Sequence, residues 1–481
     1  MKARFGIVFS TMLLCAAAWA VPEIEVDVAV VGGGSAGFAA AWSAATLGSS
    51  VALVEKESVL GGTSTIGGVN NWEPVWGATG VPRRVYERLM ERPGRAGVYE
   101  FAQHCSWTKK CERRFPGGLL RVNPDLPYDR TLRRHGPGMG NEAWFRENCH
   151  GVIFEPSAME EVMAAMLRET GRCQVLLGTA CMGVEREGGC AAALRLSDGR
   201  TVRAKVVVDA CGAVCAMMGC EMMRGREAKS EFGEPGAPDK PSGHMNGATL
   251  IYRVAQRGDG AESLHELPPG VPEKCWWGSF PYAFCYTYPN GDIGVNMLPT
   301  MAGDEAARRG ENAAYEECRR RVHAHWRWMQ TVWPDFRRYR LKEIAPVLAL
   351  RETVRVRGEY VLNQNDLIAG VGGQRHGDVI ALADHCMDSH GGGGPGGELR
   401  SPYGIPYRCL LPRGTENVLV AGRCASFSAI AASSCRLSRT MMQLGEAAGA
   451  AAHLAVARGV ALSEVPPADI RAAMERRLDM R

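Results

Sequence analysis

Residues 24–37 read IEVDVAVVGGGSAG, and this stretch decides the fold. Ile24 to Val31 is apolar enough for a strand buried on both faces, the pattern of a parallel sheet. Gly32, Gly34 and Gly37 follow in G-x-G-x-x-G spacing, and an alanine-rich helix is expected from Ala36 to Leu47. A second strand, Ser50 to Val54, ends in Glu55. In such a unit Gly32 makes the tight turn, Gly34 lets a pyrophosphate approach the backbone, and Gly37 lets helix pack on strand. Glu55 is placed to accept ribose hydroxyls. The first N–H groups of the helix, around Ser35 and Ala36, supply unpaired donors and a positive dipole end for the diphosphate. The unit reads as a dinucleotide site in an α/β domain.

Glu55 is followed by Lys56 and then by a second glycine-rich segment, Leu60-Gly61-Gly62-Thr63-Ser64-Thr65, with Gly67, Gly68 and Asn70 beyond it. A nicotinamide dehydrogenase requires no such loop. The stretch from Val28 to Asn71 resembles the FAD-dependent oxidoreductase family, which has the glutathione-reductase-type FAD fold and is related to fumarate reductase and succinate dehydrogenase flavoproteins. The resemblance implies FAD as the cofactor. It also implies that Lys56, Gly61, Gly62, Thr63 and Ser64 run beside it, together with Gly32, Gly34, Ser35, Ala36, Gly37 and Glu55.

Further segments carry the same resemblance. Ala204-Lys205-Val206-Val207-Val208-Asp209-Ala210-Cys211-Gly212 is similar to the family's A-K-x-V-I-D-A-T-G-D motif, with Cys211 for threonine and Ala213 for aspartate. Ala210 and Gly212 are its expected cofactor contacts. Asn417 to Arg423 reads as a last buried strand and is similar to N-L-L-V-A-G-R, which implies that Gly422 and Arg423 touch FAD. A helix from about Ser434 to Arg458 follows, carrying Gly445-Glu446-Ala447-Ala448-Gly449. By analogy its start points a positive end at the flavin. Arg351-Glu352 with Arg355, Arg357 and Gly358 resembles R-E-S-R-R-I-x-G, while Asp378 and Asp388-Ser389-His390 fall at the spacing of D-x-I and D-x-H.

The architecture expected is a discontinuous Rossmann-like FAD domain with an inserted α+β cap. Residues 1–20 read as a signal peptide, 21–225 as the first part of the FAD domain with a polar insertion at 73–149, and 226–395 as the cap. Residues 396–460 complete the FAD domain and 461–481 form a tail. The Pro/Gly-rich stretch 233–243 marks the exit into the cap. Inside the cap the pattern predicts a strand at Thr249 to Val254, a hairpin around Pro289 to Asp292, and a helix from about Asp304 to Trp333. Trp276, Trp277, Phe280, Tyr282, Phe284, Tyr286 and Tyr288 alternate with smaller residues, as core packing or a cavity-lining sheet face would require. Gly392, Gly394 and Gly397 repeat the glycine spacing without a strand before them and read as a loop.

Composition narrows the partners. The net charge is +4 on 56 basic and 52 acidic residues, dispersed along the chain, which excludes a nucleic-acid footprint. The 58 glycines make up about 12% of the chain against the roughly 7% of average usage, and they cluster in loops. Lys2 and Arg4 precede an apolar run from Phe5 to Trp19 that closes on Ala18-Trp19-Ala20. This is a processing signal rather than a span, and a periplasmic or secreted protein without an integral membrane span is expected. Of the 17 cysteines, Cys105 and Cys111 form the best local pair, whereas Cys173, Cys181 and Cys386 read as buried thiols. No C-x-x-C occurs, and no metal site is expected.

His390, on the segment returning from the cap, is the leading histidine for proton transfer. Arg351, Arg423 and Arg436 are candidates to hold an anionic group or polarise a carbonyl. Without a second nucleotide fold or a haem attachment site, the electron acceptor or donor is expected to be external. The reading is an exported dehydrogenase that moves a hydride between a small-molecule substrate and flavin N5. A fumarate-reductase-like C=C reductase and a flavin-bearing protein without chemistry stay as alternatives.

Overall fold

The computed structural model describes residues 23–100, 119–132, 135, 144, 147–258, 260–274, 284–297, 299–390 and 394–474. Residues 1–20, read above as a signal peptide, and His104, Cys105, Cys111, Trp276, Trp277, Phe280, Tyr282 and Gly392 lie outside the described residues.

The alternation of apolar residues and glycines at the start of the chain folds as its pattern demands. Strand β1 (Glu23–Val31) leads into helix α1 (Ser35–Leu47) and strand β2 (Val51–Val54). β1 lies parallel to β2 on one side, with Val28 opposite Val51, and parallel to the strand Thr201–Asp209 on the other. Cys173–Leu176 extends the sheet beyond β2 and Val418–Val420 pairs with the end of Thr201–Asp209, both in parallel. The hairpin Cys181–Glu187 and Cys190–Leu196 completes it antiparallel to the start of Thr201–Asp209. All parallel strand ends therefore open on one edge, where glycine turns and helix N-termini gather.

α1 is buried nearly all round because a second helix, Ser438–Arg458, lies against it. A Cβ on Gly445 would run into the Ala36 carbonyl, and one on Gly37 into the Gly32 carbonyl. Glycine at these two positions sets how closely the helices and the first turn approach.

The cap sheet runs Tyr339–Ile344, Tyr252–Gln256, Ile293–Asn296, Phe284–Thr287, Leu119–Leu120. Its core joins Tyr252, Val254 and Val295 to Val322, Trp326 and Met329 of the helix Glu311–Val332. The structure differs from the sequence expectation at four places. The single cap helix is two, Gly303–Arg309 and Glu311–Val332, because Gly310 between them takes φ 80. The expected C-terminal helix is also two, Ala429–Cys435 and Ser438–Arg458, with Arg436 and Leu437 between them. Residues after the second cap core, from Val356 through Ala383, already pack into the FAD-side core, so the chain returns well before residue 395. Residues 462–474 are no loose tail, since Leu462 and Ile470 are buried in that same core.

Candidate active site

The sheet edge is built from two interlocked glycine loops. Gly61 N–H donates to Gly33 O at 2.8 Å and Gly34 bridges Gly61, so the second loop is an extension of the first. Glu55 is buried where β2 ends, and its carboxylate takes the Gly33 N–H at 2.5 Å and the Glu57 N–H at 2.8 Å. Ser64 Oγ lies 3.3 Å from Ser35 Oγ and 3.0 Å from Ser438 Oγ, which joins the N-termini of both long helices through one hydroxyl. Neither helix has a side-chain cap, so their first N–H groups keep their capacity for a ligand. Asp209, wholly buried, accepts from the N–H groups of Cys211, Gly212 and Cys215 and fixes the turn carrying Ala210 and Gly212.

Beside this edge a cavity of about 90 Å³ opens against the cap. Thr63, Glu73, Arg351, Asp388, His390, Arg423, Arg436, Ser438 and Arg439 line it together with Ile251, Phe284 and Leu350. His390 Nε2 is 2.7 Å from Asp388 Oδ2, which also accepts from Arg436. The His390 backbone is held by Asn246 Oδ1 at 2.8 Å. Arg351 is tied to Thr249 Oγ1 at 2.5 Å and to Gly247 O at 3.1 Å, while Arg423 donates to Leu350 O. Arg439 reaches the carbonyls of Glu73 and Thr131. Glu73 accepts from the buried His385 at 3.0 Å.

The electrostatics follow from crowding cations in a dry wall. Burial, then repulsion from Arg436, brings Arg351 down to about 9. Burial and Arg436 likewise bring Arg423 down to about 10. Burial lowers His390 to about 4 against the opposing pull of Asp388. Burial would raise Asp388, but His390 and Arg436 outweigh it and hold the carboxyl well below the usual range. Arg436 and Arg439 each keep a buried Nε–H without a partner among the described residues. Such a wall attracts an anion.

The structure thus brings His390, Arg351, Arg436 and Arg423 to one cavity with Thr63. It sets Lys56 apart, since its ammonium pairs with Glu311 on the cap helix at 3.2 Å and with Glu57. His376 is likewise elsewhere, against Asp366 at 2.8 Å. Sequence reasoning missed Glu73 and Arg439. Arg439 stands next to Ser438 at the start of a helix expected to begin earlier, and it lines the cavity just beyond the break at Arg436–Leu437.

An α/β sheet with two glycine loops and uncapped helix ends at its carboxyl edge defines a dinucleotide-dependent protein. The family model described as FAD dependent oxidoreductase matches residues 27–474, and the chain belongs to that family. It is 53% identical over 51 residues to a fumarate reductase (cytochrome) of Shewanella frigidimarina, a match covering 10% of this chain and 9% of that protein. The chain thus spans under a tenth of the length of the curated relatives it matches. Among solved structures it is similar to a geranylgeranyl bacteriochlorophyll reductase-like protein of Thermoplasma acidophilum, with 13% identity, 94% of this chain and 83% of that one covered, and a TM-score of 0.41. It is also similar to an L-proline dehydrogenase of P. horikoshii, with 11% identity, 91% and 95% covered, and a TM-score of 0.38.

The protein is an enzyme, and its cofactor is FAD. The residues present fit the group. A Cβ on Gly34 would meet no protein atom within 4 Å, which leaves the face of the first turn open to a diphosphate.

Proposed function

We propose that the protein is an exported dehydrogenase that oxidises a small organic substrate bearing an anionic group, passing a hydride to flavin N5 and the electrons on to an external acceptor. The observation that carries this reading is the grouping of Arg351, Arg423, Arg436 and Arg439 with His390 around one cavity. Two carboxylates, Asp388 and Glu73, stand among these four arginines, so positive charge is left for a substrate carboxylate or oxyanion. Bound FAD supplies the two-electron acceptor. Gly32, Gly34, Ser35, Gly61, Gly62, Ser64, Ala210, Gly212 and Gly422 would hold it, on the support of the two loops and the Asp209 turn. Arg351 and Arg436 orient the anionic end of the substrate. His390, neutral at physiological pH and donating its Nε2–H to Asp388, takes a proton at Nδ1 from a substrate hydroxyl or amine, and Asp388 steadies the cation that results. Phe284, Ile251 and Leu350 exclude water from the apolar side.

Export is supported by Lys2, Arg4, the run Phe5 to Trp19 and Ala18-Trp19-Ala20. No helix of the described residues is long and apolar enough to cross a membrane.

Anaerobic mixing of the holoenzyme with a metabolite panel tests the chemistry. Bleaching of the flavin by 2-hydroxy or 2-amino carboxylates, with neutral alcohols and amines inert, supports the reading. Bleaching by neutral substrates alone overturns it. A second reading, reduction of a carboxylate-bearing C=C bond, is favoured by Arg351, whose lowered affinity for its proton suits a donor. It expects the dye-reduced enzyme to be reoxidised by an unsaturated dicarboxylate.

A further inference from the structure

The short helix Ala213–Met217 sits between the Asp209 turn and the rest of the chain and ends in a Schellman turn. Gly219 takes φ 76, its N–H donates to Ala216 O at 3.1 Å, and the Cys220 N–H donates to Cys215 O at 2.9 Å. This turn brings the side chains of the two residues joined by its outer hydrogen bond together, a contact usually made by apolar groups. Here both are cysteines. The turn sets their side chains beside one another, with Cys215 fully buried and Cys220 half-buried. Neither lines the active-site cavity.

We propose that Cys215 and Cys220 are a covalent modification site, a dithiol that a small or protein disulfide oxidises to an intrachain disulfide. The Cys220 thiol is the entering group, because it is the more accessible of the two and the neighbouring Cys215 thiol holds it below the ordinary thiol value. It gives up its proton and attacks one sulfur of the oxidant, forming a mixed disulfide and releasing one thiol. Cys215 then loses its proton, attacks the Cys220 sulfur and releases the second thiol. Two protein thiols are oxidised, one disulfide is reduced to two thiols, and the two protons end on the released thiols. The neighbouring Cys220 thiol and burial keep Cys215 protonated, so the second attack is the slower.

The consequence for the fold is local. Asp209 already pins the N-terminus of this helix through the Gly212 and Cys215 N–H groups at 2.7 and 2.8 Å. The disulfide staples its other end, and with it the turn whose Ala210 and Cys211 press against Gly32. Cys424 is the other thiol whose charge acts on Cys215, but the turn aims Cys220 at Cys215.

The proposal depends on neither the substrate nor export, since the oxidant is supplied. Holoenzyme is treated with oxidised glutathione, quenched in acid, alkylated under denaturing conditions and digested with trypsin. The peptide 206–224 carries Cys211, Cys215 and Cys220. The expected product is two hydrogens lighter, with only Cys211 alkylated, and a reductant restores alkylation of all three. Three alkylated cysteines after oxidation, or a bond from Cys215 to Cys211 or Cys424, overturn the proposal. In Cys220→Ser, Cys215 is expected to stay fully alkylated after the same treatment. Its protection there would equally reject the pairing, and the flavin spectrum reports whether the variant is folded.

Discussion

His390 and Arg436 share one oxygen. Asp388 Oδ2 lies 2.7 Å from His390 Nε2 and accepts from the Arg436 guanidinium, so one carboxylate joins the D-x-H segment to the break between the two C-terminal helices. The pairing explains how a histidine and an arginine far apart in sequence keep a fixed separation at the cavity. It also makes the histidine separable from the cofactor cradle, which is built from other residues.

His390→Ala should therefore keep the flavin spectrum and the fold while losing about 100- to 10,000-fold in flavin reduction by substrate, the usual contribution of a positioned proton acceptor. Stopped-flow bleaching measures it. Normal turnover, or loss of FAD, would remove His390 from the chemistry and direct attention to His385.

The pH profile should follow the same group. A base must be unprotonated, and His390 is lowered to about 4 by burial, so kcat/KM should rise with pH through that value and be level toward neutrality. Asp388 raises the imidazole, so Asp388→Asn should move the acid limb lower while reducing the plateau through loss of orientation. An acid limb that stays in place in this variant would separate it from the His390–Asp388 pair.

The FAD side of this arrangement was legible in the sequence because it is local. β1, the first glycine turn and α1 are contiguous, and backbone geometry restricts what can stand there. The cavity was only partly legible. Its wall is assembled from the segments after β2, from the return strand region near Arg351, from the D-x-H segment and from the C-terminal helices. Arg436 and His390 carried motif signals. Glu73 and Arg439 carried none, since Glu73 lies in the insertion and Arg439 follows a helix break that the sequence pattern does not show. Lys56 pairs with Glu311 on the cap, a partner that its place next to Glu55 in the sequence does not reveal.

Gly34→Val tests the cradle at a position where the protein leaves room for a Cβ. A Cβ there meets no protein atom within 4 Å, so the apoprotein should keep its thermal midpoint, whereas the side chain occupies the approach of the diphosphate. The expected result is a folded, colourless protein. Full flavin loading would place the diphosphate elsewhere.

Arg355 provides the sharpest stability test. It is wholly buried, 3.1 Å from Glu227 and 3.5 Å from Glu352, and it also donates to the carbonyls of Phe427 and Gly225. The two carboxylates hold other elements in turn: Glu227 accepts from Ala429 N–H at the start of the helix Ala429–Cys435, and Glu352 from Asn246 N–H beside His390. Arg355→Met should cost about 3–5 kcal/mol, because it leaves two acids buried without their cation. The sign of the pH dependence follows. Burial already raises Glu352 above its ordinary value, and loss of Arg355 raises it further. A carboxyl whose folded value lies above its unfolded value is most favourable to the fold when protonated, so it weakens the fold as pH rises. The deficit of Arg355→Met relative to the wild type should thus be smaller at about pH 5 than at about pH 7. Urea midpoints at the two values measure it. An equal deficit at both would show that the loss is one of packing volume and not of charge.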